Sequence, residues 1–140
     1  MELQQVNDTR GPAPVRLAVS AQDGTIADAR ERAQAFLADL TRTVPPAGPR
    51  AVDDVLLAVS ELVTNAVRHA PGPATLSLIY SPGQVQVTVQ DTNPDAPTAR
   101  LGDLRRGTGG FGWPAVQRLA QRVDITATPD GKAVHAFLPW

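Results

Sequence analysis

The sequence predicts an α+β fold: a two-layer α/β sandwich in which a mostly antiparallel sheet is covered on one face by three helices. Three observations predict it. Residues 84–90 (QVQVTVQ) alternate polar and apolar without error, as a half-buried strand does. Residues 50–70 gather their apolar side chains on one broad helical stripe. The segments follow one another as β-α-α-β-β-α-β-β, an order that places helices together on one side of a sheet.

Each element has its own justification. The chain has 140 residues and a formal net charge of −1, a length that suits one domain with a real core. Residues 1–14 are polar and proline-containing and read as a loose tail, with the domain at 15–140. Residues 15–20 (VRLAVS) alternate Val15, Leu17 and Val19 as a short strand. Asp23 or Thr25 is placed to cap a first helix, on which Ile26, Ala29, Ala33, Phe36, Leu37 and Leu40 recur at helical spacing. Residues 44–49 (VPPAGP) break it.

The second helix follows, and Pro71-Gly72-Pro73 ends it. Residues 75–80 (TLSLIY) and 84–90 flank Ser81-Pro82-Gly83 as a hairpin. A polar, proline-rich loop fills 91–106. Residues 114–121 (PAVQRLAQ) read as a third helix, with proline tolerated in its first turn. Residues 123–128 and 133–138 flank Pro129-Asp130-Gly131-Lys132 as a second hairpin.

Composition excludes several classes. The near-zero net charge provides no overall field toward nucleic acid or an anionic membrane. There is no cysteine, hence no disulfide, thiolate nucleophile or cysteine-zinc site. No apolar run is long enough to span a bilayer and no h-region opens the chain, so a cytoplasmic location is expected. His69 and His135 are the only histidines, far apart in sequence. Ser60 lies mid-helix rather than in a Gly-x-Ser-x-Gly elbow.

Residues 107–114 (GTGGFGWP) contain a G-x-G-x-x-G spacing. A dinucleotide fold needs those glycines directly between a strand and a helix within a βαβ unit. Here they follow a long loop, and too little chain remains for such a unit. A Walker loop is excluded because no Gly-Lys-Ser/Thr follows. What remains is a glycine-rich approach to a helix N-terminus, a geometry that suits phosphate, or a plain connector. The second helix separates the two. Glu61 and Asn65 stack one turn apart, with Arg68 and His69 a turn further on. Asparagine is a mediocre helix former, while its carbonyl oxygen is a hard ligand suited to Mg²⁺. A carboxylate one turn away is placed to deprotonate a hydroxyl attacking a phosphate.

The stretch SELVTNAVRHA (60–70) resembles the N-box of the GHKL ATPases, the superfamily that includes sensor histidine kinases. It is most similar to the small bacterial anti-sigma-factor serine kinases, and the resemblance runs from about Val15 onward. It implies a GHKL-type sandwich, ATP with Mg²⁺ as cofactors, Asn65 as the metal-holding residue and Glu61 as catalytic base. Asp91 in VTVQDTNP would accept the adenine amino group, because an ionised carboxylate only accepts. Asn93 stands where the family usually has glycine, and asparagine enters the left-handed region more easily than most residues.

The loop 92–106 would cover the phosphates, and Gly110-Phe111-Gly112 would be the central Gly-x-Gly. Gly107 and Gly109 would add freedom to the cover. The expected nucleotide-facing set is thus Asn65, His69, Asp91, Asn93, Gly107, Gly109, Gly110 and Gly112. His69 equally suits the negative end of its helix. Ala133 replaces a threonine that in the family frequently follows Gly-Lys and faces the nucleotide, a loss of about 1 kcal/mol. The resemblance implies a serine/threonine protein kinase acting on an anti-anti-sigma-type partner, with a sigma factor as a second partner and a homodimer as the assembly. The alternative is a non-catalytic ATP-sensing module that binds a protein partner.

Overall fold

A computed structural model describes residues 12–19, 25–70, 72–95 and 112–140. Strand β1 (Val15–Val19) is followed by helices α1 (Thr25–Thr43) and α2 (Ala51–His69). The hairpin β2 (Ala74–Ser81) and β3 (Gln84–Asp91) comes next. Helix α3 (Gly112–Leu119) then leads to a second hairpin, β4 (Arg122–Thr128) and β5 (Gly131–Pro139). The five strands form one sheet in the order β1-β2-β3-β5-β4, and every neighbouring pair is antiparallel.

Alternation decides which face of the sheet is covered. Val85, Val87 and Val89 on β3 are fully or almost fully buried, as are Leu76 and Leu78 on β2 and Val134, Ala136 and Leu138 on β5. They meet Phe36, Leu37 and Leu40 of α1, Val55, Val59, Leu62 and Val63 of α2, and Val116 of α3 in one cluster. Period 2 on the strands and period 3.6 on the helices therefore converge on the same layer. The opposite face is polar. There Thr88 Oγ1 shares a hydrogen bond with His135 Nδ1 at 3.0 Å, and Thr126 Oγ1 shares one with His135 Nε2 at 3.1 Å. His135 thus joins three strands on the face away from the helices.

Two turns and one terminus fix the frame. Ser81 pairs with Gln84, so Pro82-Gly83 forms the connection, with Gly83 at φ 82° in the left-handed region that glycine enters without strain. Thr128 pairs with Gly131, which leaves Pro129-Asp130 as the second turn. Trp140 is 5% exposed; its indole N–H donates to the Val44 carbonyl at 2.6 Å, and its backbone N–H donates to the Gly83 carbonyl. The chain end thereby ties the α1–α2 loop to the β2–β3 turn. Among the described residues no helix is long and apolar enough to cross a membrane.

Element boundaries differ from the sequence expectation in two instructive places. Helix α3 begins at Gly112, with Pro114 as its third residue, where a missing N–H costs nothing. Strand β5 begins at Gly131 rather than 133, because the turn needs only two residues.

Candidate functional site

Helix α2 is the spine of the site. Asp53 and Asp54 lie in its first turn and Arg68 and His69 in its last, each sign complementing the helix dipole. Its apolar stripe faces the sheet. Glu61 and Asn65 are both half-buried on α2, and Glu61 lies beside the first residue of α3.

At one end of the α2 flank that carries this pair, Gly112 opens α3 against Glu61. A Cβ on Gly112 would collide with Glu61 Oε1. Only glycine lets the α3 backbone come this close to the carboxylate. Two stretches that the sequence singles out separately, 60–70 and 107–112, are therefore in contact through Glu61 and Gly112. Gly107, Gly109 and Gly110 lie outside the described residues, as does the expected cover over residues 96–106.

At the other end, the β3 terminus is stapled to α2. Asn93 Nδ2 donates to the His69 carbonyl at 2.9 Å. The Asn93 backbone N–H donates to Asp91 Oδ1 at 2.9 Å, and Asn93 Oδ1 accepts from the Asp95 backbone N–H at 2.9 Å. These are Asx turns, in which a short polar side chain folds its own backbone. Asn93 thus does with its side chain what a glycine could not. Thr92 Oγ1 accepts from the Gly72 N–H at 3.0 Å, adding a second tie between this turn and the segment after α2. The His69 side chain itself is exposed; its carbonyl is what the turn uses.

Asp91 is 7% exposed and Lys132 is 5% exposed. Lys132 Nζ donates to Asp91 Oδ1 and Oδ2, both at 3.0 Å, and to the Asn93 carbonyl at 2.9 Å. The register explains the contact. Asp91 pairs with Lys132 across β3 and β5, and both side chains share the face of Val89 and Val134. Gly131 makes room for the turn, since a Cβ there would strike the Asp91 carbonyl and the Thr92 backbone.

This corrects the expectation for Ala133. It pairs with Gln90 and shares the parity of His135, so it lies on the polar face, away from α2. The β5 residue that addresses the site is Lys132, which the sequence reading assigned to the turn. Its signal was available: a lysine in step with Val134, Ala136 and Leu138 on an otherwise apolar face. A depression of about 210 Å³ lies at this end of the sheet, lined by Asp91 and Thr92 together with Arg16, Thr75, Gln90 and Asp130. It includes neither Glu61 nor Asn65.

Glu61 and His69 are eight residues apart on α2, which at about 1.5 Å per residue separates their backbones by about 12 Å. Asn65 stands midway. One end of the flank thus offers a carboxylate beside a glycine-opened helix, and the other a paired carboxylate and ammonium. The donor set fits a metal carried on a phosphate-bearing ligand. Asn65 offers one hard oxygen, and Mg²⁺ bound to phosphates keeps few protein ligands. Among the described residues no cluster of three His, Asp or Glu side chains forms a self-sufficient metal cage.

Sandwich and flank together define a GHKL-type ATPase architecture, with a Glu/Asn helix facing a glycine-opened helix and a strand-end aspartate. The chain belongs to the histidine kinase-like ATPase domain family, whose model matches residues 19–137. Among solved structures it is similar to the RsbU and RsbW domains of Rv1364c from Mycobacterium tuberculosis, with a TM-score of 0.65 and 17% sequence identity. The match covers 91% of this chain and 32% of that one, so this chain spans about a third of the length of the chain it matches. At this identity the likeness is one of fold. No curated protein matches the chain in sequence.

Proposed function

We propose that residues 15–140 bind Mg-ATP along the α2 flank and transfer its γ-phosphate to a serine or threonine of a protein partner of the anti-anti-sigma type. The observation that carries the reading is the contact between Glu61 and Gly112, with Asn65 one turn further along α2. It joins a potential base to the opening of a helix, where unpaired backbone N–H groups favour phosphate. Membership of an ATPase family supports the ligand, and the fold shared with a chain containing an RsbW domain supports the kind of partner.

In this reading Asp91 and its turn receive the base, and the α3 N-terminus faces the phosphates. Asn65 would hold Mg²⁺ through its carboxamide oxygen; bound there, the ion neutralises phosphate charge. Glu61 accepts the proton of the attacking hydroxyl, and its half-buried position beside Gly112 keeps the carboxylate aimed along the flank. The hydroxyl oxygen forms the new bond to phosphorus as the bond to the β-phosphate oxygen breaks, leaving ADP.

The test combines purified protein, γ-labelled ATP with Mg²⁺, and anti-anti-sigma-type proteins encoded near it. Transfer to one partner that disappears in Glu61→Ala, with ATP binding kept, is the expected result. Asn65→Ala is expected to lose Mg²⁺-dependent ATP binding. Binding without transfer to any partner would replace the kinase with a non-catalytic sensor. The absence of any thermal stabilisation at saturating Mg-ATP would overturn nucleotide binding itself.

A further inference from the structure

Among the described residues Asp91 and Lys132 are the only buried charged side chains, and the proposed chemistry gives the lysine no part. An ammonium has three N–H groups. Lys132 Nζ donates to three acceptors, Asp91 Oδ1, Asp91 Oδ2 and the Asn93 carbonyl, while Asp91 Oδ1 also accepts from the Asn93 N–H. Both side chains are 6% exposed, so even from the depression that Asp91 lines the carboxylate is scarcely reached. A ligand that uses it has to move either the turn or the lysine. The turn is tied by Asn93 to the His69 carbonyl and by Thr92 to the Gly72 N–H. The ammonium ends a stem of rotatable bonds, which can swing without shifting backbone. Lys132 is therefore the part that gives way.

On the nucleotide reading above, we infer that Lys132 is a specificity-determining residue: its ammonium fills the place of the base's donor at Asp91, so the site recognises a polyphosphate tail with Mg²⁺ and takes little from the base. An amino group of the base meets Asp91 only by displacing the ammonium. That exchange gives up two contacts between opposite charges for a bond from a neutral donor, and it strands the ammonium in a poorly screened interior. What the base gains is largely offset by what the pair loses. The phosphate end of the flank stands apart from this competition. Glu61 and Gly112 meet about two turns of α2 away from the His69 carbonyl to which the Asn93 turn is tied.

The test measures dissociation constants of ATP and of inorganic tripolyphosphate, each with Mg²⁺, by calorimetry on wild type and Lys132→Ala. Alanine removes the ammonium and opens the space that its stem fills. Wild type is expected to bind ATP less than tenfold more tightly than tripolyphosphate. In Lys132→Ala that ratio is expected to rise at least tenfold, through tighter ATP with tripolyphosphate unchanged. A wild-type ratio of tenfold or more, a smaller rise in the variant, or a rise that comes from weaker tripolyphosphate overturns the role of Lys132 and leaves nucleotide binding standing. Should Lys132→Ala fail to fold by circular dichroism, the wild-type ratio decides alone. If neither ligand binds either protein, the nucleotide reading itself falls, and this inference with it.

Discussion

Removing one partner of the Asp91–Lys132 pair should cost more stability than any other polar substitution near the site. Each side chain is 6% exposed, and the ammonium makes contacts of 3.0, 3.0 and 2.9 Å to the two Asp91 oxygens and the Asn93 carbonyl. In Lys132→Met the carboxylate keeps the Asn93 N–H and otherwise faces apolar neighbours such as Val89 and Val134. An uncompensated buried charge of this kind costs about 3–5 kcal/mol. Asp91→Asn strands the ammonium in the same way. Asp91→Asn combined with Lys132→Met removes both charges, and well-packed neutral replacements of a buried pair are often near neutral. The two single costs should therefore fail to add by about 3 kcal/mol or more, far beyond the scatter of independent sites. Urea unfolding followed by circular dichroism measures all four corners of the cycle, with equal slopes as the check that only stability has changed. Single costs below about 1 kcal/mol that simply add in the double variant would refute the reasoning, because they would mean that water reaches both groups.

The remaining expectations separate the two glycines and the two staples. Gly112→Ala presses on the far end of the Glu61 side chain, which can swing aside, so stability should change by less than about 1 kcal/mol while phosphotransfer falls at least tenfold in the labelled-ATP assay. Gly131→Ala presses on the Asp91 and Thr92 backbone, which cannot, so its urea midpoint should drop by the equivalent of about 1–3 kcal/mol. Asn93→Ala loses the bond to the His69 carbonyl and the Asx turn to Asp95; about 1–2 kcal/mol is expected, and Asn93→Gly should not restore it. Trp140→Ala removes a buried indole and its bond to Val44, with an expected cost of about 3–5 kcal/mol read in the same unfolding experiment.

Short-range patterns carried most of the fold. Val85, Val87 and Val89 announce their strand because alternation is a local property, and the α2 stripe announces itself for the same reason. The placing of Glu61 and Asn65 one turn apart on α2 was legible from helical spacing alone. What the sequence concealed is set by pairing between distant segments. Asp91 and Lys132 meet across 41 positions and Trp140 reaches Val44 across 96, and no window along the chain contains either partnership. Cross-strand register lay beyond the reach of the sequence patterns. Reading Gly131-Lys132 as turn rather than strand left Lys132 without its cross-strand partner Asp91, which lies on a distant segment.

The two ends of the α2 flank are held by different kinds of contact, and the difference suits a reaction. At the Asn93 end, backbone meets backbone: Gly131 lies against the Asp91 carbonyl, and the turn is tied by side-chain bonds to His69 and Gly72. Shifting that end means breaking bonds or moving chain. At the Gly112 end, backbone meets the tip of one glutamate, with rotatable bonds in between. A base site gains selectivity from groups that hold their positions, whereas a general base must follow a proton that moves as the bond to phosphorus forms. Under the proposed function, substitutions at the first end should therefore change stability and nucleotide affinity together. Those at the second should change transfer while leaving the unfolding curve in place. A Gly112→Ala protein as unstable as Gly131→Ala would show the two ends to be equally rigid and would remove this division of roles.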